Sequence, residues 1–410
     1  MDEAVWEVIV AGAGAAGLMA GLRAAERGER VLVVEKNKRP GVKILMSGGT
    51  RCNITQATDN RGVVEAYGPP GRFLHSALAA FGVKEAIDLF EAEGVATKVE
   101  ETGKVFPVSD KAADVLAALV NRLNRSGAAL ALAEPVQQVE RSGEGFRVLT
   151  SRRSLSCQKF ILTVGGMSYP GSGTTGDGYA IAQAFGHTIV PPYPALVPLT
   201  TAEAWIASLR GVTLPDARLA ILEGDKALAQ RRGSLLFAHF GLTGPVALDV
   251  SRVVSRHPRP GSLRVRFDFL PDVREEELAE KLREQASAAG KKQLAGVLAS
   301  FVPKRLAEEL LRLSGMDVER KAAGLTREER GRLVAACKRL DVPLTGTLGF
   351  KKAEVTTGGV DLREVDSRTM QSKLVPGLYF AGEVLDLDGP IGGYNFQAAW
   401  STGWLAGSSV

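Results

Sequence analysis

The chain opens with two uninterrupted apolar runs separated by a stretch rich in glycine and alanine. Residues 7–34 read EVIVAGAGAAGLMAGLRAAERGERVLVV. Unbroken apolar runs are typical of strands buried on both faces of a parallel sheet, and the small-residue segment between them is long enough for a crossover helix. The pattern therefore predicts a β-α-β unit, the repeating element of a parallel α/β domain.

Further α/β patterning follows this unit. Residues 73–93 and 110–126 have helical periodicity, whereas ALALAEPVQQVE, GFRVLTS and KFILTVGG are strand-like. The last of these is a buried run that ends at Gly165 and Gly166. Residues 374–407 return to the opening style, with an apolar run, a glycine loop and a helix rich in small residues. We expect them to complete the first domain, which is then split in sequence.

The periodicity changes after residues 191–199, where four prolines in nine positions predict a domain boundary. Beyond them, RLAILEGDKALAQ predicts a hairpin with a Gly-Asp turn, and LRVRFDFL alternates apolar residues like a half-buried strand. Residues 272–342 are helical instead. Their starts and breaks are predicted from the capping boxes Asp272/Glu275 and Thr326/Glu329 and from Pro303 and Pro343.

These patterns predict a nucleotide-binding α/β fold that is interrupted by a small β-domain carrying a helical subdomain. At 410 residues the chain is long enough for two or three domains, and its 45% hydrophobic content suits a soluble globular protein. The predicted parts are 1–192 and 353–410 for the split domain, 193–271 with 343–352 for the β-domain, and 272–342 for the helical subdomain.

Charge is distributed unevenly between these parts. Residues 195–352 contain 27 Lys/Arg and 19 Asp/Glu, a net charge of +8, whereas the remaining residues contain 24 and 27, a net charge of −3. Such a surplus either forms a solvated face or leaves room for an anionic or nucleic-acid substrate. The candidate RNA contacts are Arg231, Arg232, Lys291, Lys292, Lys304 and Arg305.

Cysteine usage and the N-terminus bear on the compartment. Cys52, Cys157 and Cys337 are odd in number and lack metal-ligand spacing, which favours a reducing compartment such as the cytoplasm and argues against disulfides or a structural zinc site. The first residues carry acidic charges and their apolar run is broken by glycines, which disfavours a signal peptide. We therefore expect a cytoplasmic protein with no membrane span and no metal.

The strongest motif is GxGxxG at Gly12, Gly14 and Gly17, directly after the first predicted strand. Glu35 ends the second strand, where a carboxylate can accept hydrogen bonds from ribose hydroxyls. The glycines let the helix N-terminus approach a pyrophosphate.

A second match, GSGTTG at 171–176, follows Pro170 rather than a strand, so it predicts a loop whose Asp177 caps the next helix. One dinucleotide domain without a second favours bound FAD over dissociating NAD.

The chain resembles the YhiN/BaiN-like family of FAD-dependent oxidoreductases over residues 5–407. The segments that carry the resemblance are GAGAAGLMAG, GVKILMSGGTRCNIT, TVGGMSYPGSGTTGDGYAIAQAFGH, FAHFGLTGP and FAGEVLDLDGPIGGYNFQAAWSTG. The resemblance implies an α/β, Rossmann-like FAD domain of the glutathione-reductase type, split by an insert made of a β-barrel and a small helical bundle. Thr50 stands where a third glycine is common in the family.

The dinucleotide motif and the resemblance together imply the residues that contact FAD. The family's flavin loop corresponds to residues 43–53, the loop before the last helix to 382–395, and the adenine contact to the backbone of Val136. The implied cofactor residues are Gly12, Gly14, Ala15, Ala16, Gly17, Glu35, Lys36, Lys43, Ser47, Gly48, Gly49, Arg51, Cys52, Asn53, Val136, Thr163, Gly165, Gly166, Gly382, Glu383, Gly392, Gly393, Tyr394 and Asn395.

Three residues are candidates for catalysis. Cys52 is either a small packing residue beside FAD or a general acid that gives a proton to carbon while the flavin gives hydride. His239, which glycines and a proline surround, is either a structural histidine or a proton donor, and Tyr394 beside its glycine turn is another possible donor.

The resemblance implies a FAD-dependent oxidoreductase with NAD(P)H as candidate transient donor. The leading reaction is hydride transfer to a C=C bond conjugated to a carbonyl, either uracil in ribosomal RNA, giving dihydrouridine, or a small enone such as a bile-acid intermediate. The alternatives are an oxidase or hydroxylase, and a non-enzymatic RNA-binding or assembly factor that contains flavin.

Overall fold

The computed structural model describes residues 6–288 and 292–410. The chain divides into two compact units. The first unit runs up to Tyr193 and includes Val355–Val410, and the second is Pro194–Glu354.

The strands, in chain order, are short except for one long hairpin. They are β1 Trp6–Ala11, β2 Val31–Val34, β3 Thr55–Gln56, β4 Thr97–Val99, β5 Lys104–Pro107, β6 Ala129–Ala131, β7 Val136–Ser142, β8 Gly145–Thr150, β9 Ser154–Leu162, β10 Ile189–Ala195, β11 Leu199–Thr200, β12 Thr213–Glu223, β13 Lys226–Ala238, β14 Gly241–Thr243, β15 Leu263–Asp268, β16 Leu340–Pro343, β17 Gly346–Thr347, β18 Val355–Val360 and β19 Leu378–Phe380.

The helices range from five to sixteen residues. They are α1 Ala15–Glu26, α2 Val42–Met46, α3 Asn60–Tyr67, α4 His75–Ala80, α5 Val83–Ala92, α6 Ala112–Arg125, α7 Asp177–Ala184, α8 Ala204–Ser208, α9 Pro245–Arg256, α10 Glu275–Ala288, α11 Leu294–Leu298, α12 Lys304–Leu313, α13 Arg327–Lys338 and α14 Tyr394–Ser409.

The first unit is built on a seven-stranded sheet with the order β6-β2-β1-β9-β8-β7, in which β19 also pairs with β9. The pairs among β6, β2, β1, β9 and β19 are parallel, as the β-α-β pattern predicts. Helices α1 and α14 pack closely because a Cβ on Gly403 or Gly407 would lie 2.3 Å from the carbonyl oxygen of Ala16 or Ala20. Small residues therefore set the distance between these helices.

The chain passes from the first unit to the second within β10. This segment, IVPPYPA, is a strand despite its three prolines, and it pairs with β18 in a two-stranded ladder. Each strand of such a ladder has a free edge, where a residue without an N–H is tolerated.

The second unit is built on a seven-stranded sheet with the order β16-β15-β12-β13-β14-β11-β17. The predicted hairpin is present as β12–β13, which turns at Gly224 with φ of 55°. Leu219, Ile221, Val265 and Phe267 are fully buried on one face, as the alternating pattern requires. The description of this unit as a β-barrel with a helical bundle stays a prediction.

Of the two predicted capping boxes in this unit, one is correct and one is wrong. Thr326 caps α13, and Glu329 accepts a hydrogen bond from the Thr326 amide. Asp272, by contrast, does not cap α10, which begins three residues later at Glu275. Its carboxylate lies 2.5 Å from the Arg232 guanidinium instead.

Candidate functional site

The GxGxxG loop leads from β1 into α1, and its three glycines are needed for different reasons. Gly12 has φ of 99°, and a Cβ on Gly17 would lie 1.8 Å from the Gly12 carbonyl oxygen. Around the position of a Cβ on Gly14, by contrast, no heavy atom of the described residues lies within 4 Å. The first turn of α1 contains no acidic residue. The N-terminus of α1 is therefore open to an anion.

Glu35 supports this loop from the end of β2. Its side chain is buried, and its carboxylate accepts hydrogen bonds from the Ala13 amide at 2.7 Å and the Asn37 amide at 2.8 Å. Thr163, at the end of β9, donates from its hydroxyl to the Gly12 carbonyl at 3.0 Å. The structure thus brings these two predicted residues to the glycine loop.

The Lys36 side chain contacts residues of the 171–177 segment. Its ammonium lies 2.5 Å from the Asp177 carboxylate and 2.7 Å from the Thr175 hydroxyl. The prediction that Asp177 caps α7 is wrong, because Gly176 is the cap and Asp177 is the first helical residue.

The segment after α2 has an unusual backbone. Gly48, Gly49 and Thr50 have consecutive φ values of 56°, 68° and 70°, and Cys52 has φ of 63°. This region favours glycine, so Thr50 and Cys52 occupy a backbone conformation that costs them conformational energy. Such strain is most often maintained at ligand-binding sites.

Cys52 is fully buried in the core that also contains α1 and α14. Burial raises the pKa of its thiol to about 12, and a hydrogen bond with Ser47 offsets this only in part. The thiol is therefore protonated at neutral pH and enclosed by apolar groups. These facts favour the packing interpretation, and a catalytic role stays a prediction.

Arg51 and Asn53 flank Cys52 and differ in their surroundings. The Arg51 guanidinium lies 2.6 Å from the Glu100 carboxylate and stacks over the Phe106 ring at 4.0 Å. Asn53 is buried, and within the described part of the chain its Oδ1 has no hydrogen-bond partner. A buried unpaired acceptor is unfavourable, so this atom fits a donor on a bound group.

Lys43 and Glu383, predicted separately as cofactor residues, form an ion pair at 2.5 Å. The Ser168 hydroxyl lies 2.8 Å from the Lys43 ammonium and 2.6 Å from the Glu383 carboxylate. A Cβ on Gly166 would lie 2.4 Å from the Thr356 hydroxyl and 3.0 Å from the Glu383 carboxylate, which explains the glycine there. Gly165 is the adjacent turn residue, with φ of 78°.

The loop before α14 is held by a side chain from the first turn of that helix. Gly392 and Gly393 have φ of 134° and 94° and lead into Tyr394, the first residue of α14. The Asn395 side chain folds back onto the loop, since its Oδ1 accepts the Gly389 amide at 2.8 Å. This helix also begins without an acidic residue.

Tyr67 of α3 is a site residue that the sequence prediction missed. Its hydroxyl donates to the Tyr394 carbonyl at 3.0 Å, and a Cβ on Gly389 would touch its ring. Burial and the charges of Asp388 and Glu383 raise the pKa of this hydroxyl well above its usual value. Nothing in the local sequence distinguishes Tyr67 from an ordinary core aromatic.

Two further predicted residues belong to other elements. His239 belongs to the second unit, in the turn between β13 and β14, and its ring contacts Phe240 with a centroid distance of 4.9 Å. Val136 begins β7 and pairs with Thr150 of β8.

The candidate RNA contacts in the second unit are not equivalent. Arg232 is paired with Asp216 and Asp272, and Arg305 donates to the carbonyls of Ser208 and Arg210. Arg231 donates only to a neighbouring carbonyl, that of Gln230, among the contacts described for it, and Lys304 lies 3.9 Å from Glu308. Lys292 is exposed, whereas Lys291 lies outside the described residues.

Arg232 belongs to a row of arginines whose other members, Arg218, Arg264 and Arg266, were not predicted from the sequence. Arg218, Arg232, Arg264 and Arg266 share the solvent face of three adjacent strands, because their register partners alternate with the buried apolar residues. Aspartates interleave with them, as in the pair between Arg266 and Asp341 at 2.6 Å. This face is therefore polar and nearly balanced in charge.

Two further properties concern residues 6–288 and 292–410. None of their helices is long and apolar enough to cross a bilayer. Within the same residues, no group of three or more His, Cys, Asp or Glu side chains could hold a metal ion.

The site fits a dinucleotide such as FAD. The space above Gly14 and the two helix N-termini without acidic residues suit an anionic pyrophosphate, and Asn53 Oδ1 offers an acceptor to a ring N–H.

Comparison with known proteins supports this fit over the whole chain. The family model described as the HI0933-like protein Rossmann domain matches residues 6–409. The ribosomal RNA dihydrouridine synthase of Escherichia coli (strain K12) is 37% identical over 99% of this chain and 98% of its own. The 3-dehydro-bile acid Δ4,6-reductase of Clostridium scindens is 32% identical over 98% of both.

A solved structure shows the fold at lower identity. The 3-ketosteroid-Δ4-(5α)-dehydrogenase of Rhodococcus jostii RHA1 covers all of this chain and 97% of its own, with a TM-score of 0.52 at 16% identity. At this identity the similarity is evidence for the fold and not for the reaction.

Proposed function

This chain belongs to the HI0933-like family of FAD-binding oxidoreductases, and from that premise we propose that it reduces uracil in ribosomal RNA to dihydrouridine. The expected fold class, a Rossmann-type FAD-binding α/β fold, is confirmed, as are the expected family, the cofactor FAD and the oxidoreductase class. The NAD(P)H donor, the RNA substrate, the cytoplasmic location and the site residues remain part of the proposal.

The observation that carries the proposal is the end-to-end similarity to the Escherichia coli dihydrouridine synthase. The charge distribution supports it, since residues 195–352 have a net charge of +8 and RNA is a polyanion. Arg231, Lys292 and Lys304 are the predicted contacts least occupied by carboxylates. The ladder of paired arginines is a weaker candidate, because its aspartates would oppose phosphate.

The residues of the first unit have separable tasks in this proposal. Bound FAD supplies the hydride that an electron-poor C=C bond accepts. The N-terminus of α1 binds the pyrophosphate, Glu35 fixes the loop and the ribose, and Asn53 Oδ1 accepts a hydrogen bond. The Lys43, Ser168 and Glu383 side chains hold three segments together around the cofactor.

A proton must also reach the carbon next to the one that receives hydride. Of the two donors proposed from the sequence within the first unit, Tyr394 is partly exposed, whereas Cys52 is enclosed. His239, in the second unit, stays an alternative donor. We assign the proton to the Tyr394 hydroxyl and expect Tyr394→Phe to lower turnover while FAD stays bound.

The test is complementation of an Escherichia coli strain that lacks its ribosomal RNA dihydrouridine synthase. Mass spectrometry of the ribosomal RNA should show a uridine that gains two hydrogens when this chain is expressed. Cys52→Ala and the matched variant Cys157→Ala, which removes another buried thiol, should both restore it. Loss with Cys52→Ala alone would return the catalytic role to Cys52.

A second candidate reaction is reduction of a small enone, which the similarity to the Clostridium scindens reductase favours. Unchanged RNA together with NAD(P)H-dependent reduction of a 3-oxo-Δ4 steroid by the purified protein would establish it. Ribosomal RNA binding without turnover of either substrate would point to a non-enzymatic flavin-containing factor.

A further inference from the structure

An ion pair joins three segments that are far apart in sequence. Lys43 lies in α2, Ser168 follows β9 and Glu383 follows β19, and their side chains form a closed triangle of contacts at 2.5, 2.6 and 2.8 Å. Glu383 also accepts the backbone amide of Thr356 at 3.0 Å. Every oxygen of this carboxylate therefore has a donor.

The same three segments contact the glycine loop. The Gly41 amide, just before α2, donates to the Ala13 carbonyl at 2.8 Å. The Thr163 hydroxyl at the end of β9 bonds the Gly12 carbonyl, and a Cβ on Gly382 would lie 2.7 Å from Ala16. The ion pair thus links the segments that support the loop to which we assign the FAD pyrophosphate.

The ion pair is partly shielded from water, so the electrostatic potential of its two charges is less screened by solvent. The Lys43 and Glu383 side chains are 29% and 19% exposed, and Ser168 between them is fully buried. In such surroundings charges are screened less than at an open surface, and each partner compensates the other.

We propose that the Lys43–Glu383 pair sets the reduction potential of the bound FAD by balancing two opposite charges beside it. Reduction adds negative charge to a flavin, so a nearby cation favours the reduced form and a nearby anion disfavours it. As a pair, the two largely cancel. This inference rests on FAD binding and is independent of the substrate.

The test is the midpoint potential of the purified holoprotein, measured by dye-coupled reductive titration. Lys43→Met removes the cation and should lower the potential, whereas the near-isosteric Glu383→Gln should raise it. The double variant should return close to the wild-type value, and Lys43→Arg should stay near it because the charge is retained.

A matched control removes an equally exposed ion pair from the other end of α1. Arg122 and Glu26 lie 2.8 Å apart with side chains 25% and 24% exposed, and Glu26 is the last residue of α1. Arg122→Met should leave the potential unchanged. Urea unfolding of the FAD-free variants reports any purely structural loss separately.

Opposite shifts for the two single variants would support the proposal, because a structural defect has no reason to reverse sign. Shifts in the same direction, or a Glu383→Gln shift no larger than that of Arg122→Met, would overturn it. If Lys43→Met fails to retain FAD, the comparison of Glu383→Gln with Arg122→Met decides alone. If the complemented strain showed no dihydrouridine in its ribosomal RNA, the substrate proposal would be refuted, whereas the proposal on the reduction potential would not be affected.

Discussion

Two loops of the first unit have the same spacing of glycines and opposite surroundings. GAGAAG at 12–17 follows a buried strand and begins α1 with no acidic residue, and space remains open above Gly14. GSGTTG at 171–176 begins α7 with Asp177, whose carboxylate already holds Lys36 and Thr175. The difference teaches that glycine spacing makes an anion site only where the chain does not fill the helix N-terminus itself.

The largest expected effect comes from a methyl group added where the first loop is tightest. Gly17→Ala would place a Cβ 1.8 Å from the Gly12 carbonyl, so strand and helix must separate, at a cost of about 3 kcal/mol in the free energy of unfolding. Urea unfolding of the FAD-free protein measures this.

Gly14→Ala is the control within the same loop. Its φ is −81° and its Cβ would meet open space, so the free energy of unfolding should fall by only about 1 kcal/mol, the preference of a helix N-cap for Gly over Ala, while FAD affinity also falls. Equal stability of the two variants would contradict the geometry of the loop.

The next effect comes from giving α1 the acidic start that α7 has. Ala15→Asp should weaken FAD binding by about 2 kcal/mol, because a carboxylate at the helix N-terminus repels a pyrophosphate. The neutral variant Ala15→Asn should bind much more tightly than Ala15→Asp in a fluorescence titration. If both bind alike, the pyrophosphate does not lie at this helix.

A smaller effect is expected from the second loop. Gly176 has φ of 82° and its Cβ would lie 3.0 Å from the flexible Met167 side chain, so Gly176→Ala should cost about 1 kcal/mol of stability, chiefly by backbone strain. FAD affinity should be unchanged when folded protein is titrated. A selective loss of FAD affinity would mean that the second loop also takes part in the cofactor site.

The smallest effect concerns pH. Burial works against ionisation of Asp177, but hydrogen bonds from Lys36 and Thr175 outweigh it and hold the pKa of this carboxyl below its usual value. The stabilisation is therefore present above pH ~4 and is lost as the pH falls through the lower folded pKa.

Asp177→Asn should remove this contribution, about 0.5 kcal/mol for a half-exposed pair, and flatten the acid side of the stability curve. Urea unfolding at pH 7 and at pH 3 measures the change. An unaltered slope would mean that the ion pair contributes nothing to folding.

The parts of the fold that follow from neighbouring residues could be predicted. The β1-α1-β2 unit and the β12–β13 hairpin depend on local periodicity and on turn chemistry at Gly224. The sequence does not predict β10 as a strand, because its three prolines disfavour one. They are tolerated because β10 pairs only with β18 and has a free edge, which the sequence does not reveal. Asp272 was misassigned since its true partner, Arg232, lies 40 positions away.

The candidate site divides in the same way. Gly12, Gly14 and Gly17 were recognised from spacing, and the open helix terminus agrees with that expectation. The contact between Lys43 and Glu383 spans 340 positions, and Tyr67 reaches across 327 to the Tyr394 carbonyl. No local pattern encodes such pairings, because only the folded sheet brings these loops to one edge.

The close packing of α1 against α14 also has a consequence for how the protein is made. The Arg23 side chain hydrogen-bonds to Ser408, 385 positions later. The helix between β1 and β2 packs early against α6, but it gains α14 only once that distant stretch has left the ribosome. Residues 194–354 emerge earlier and form contacts of their own. Because the candidate site also draws on residues 382–395, we expect loading of the cofactor to be a late event of biosynthesis, after most of the polypeptide has been translated.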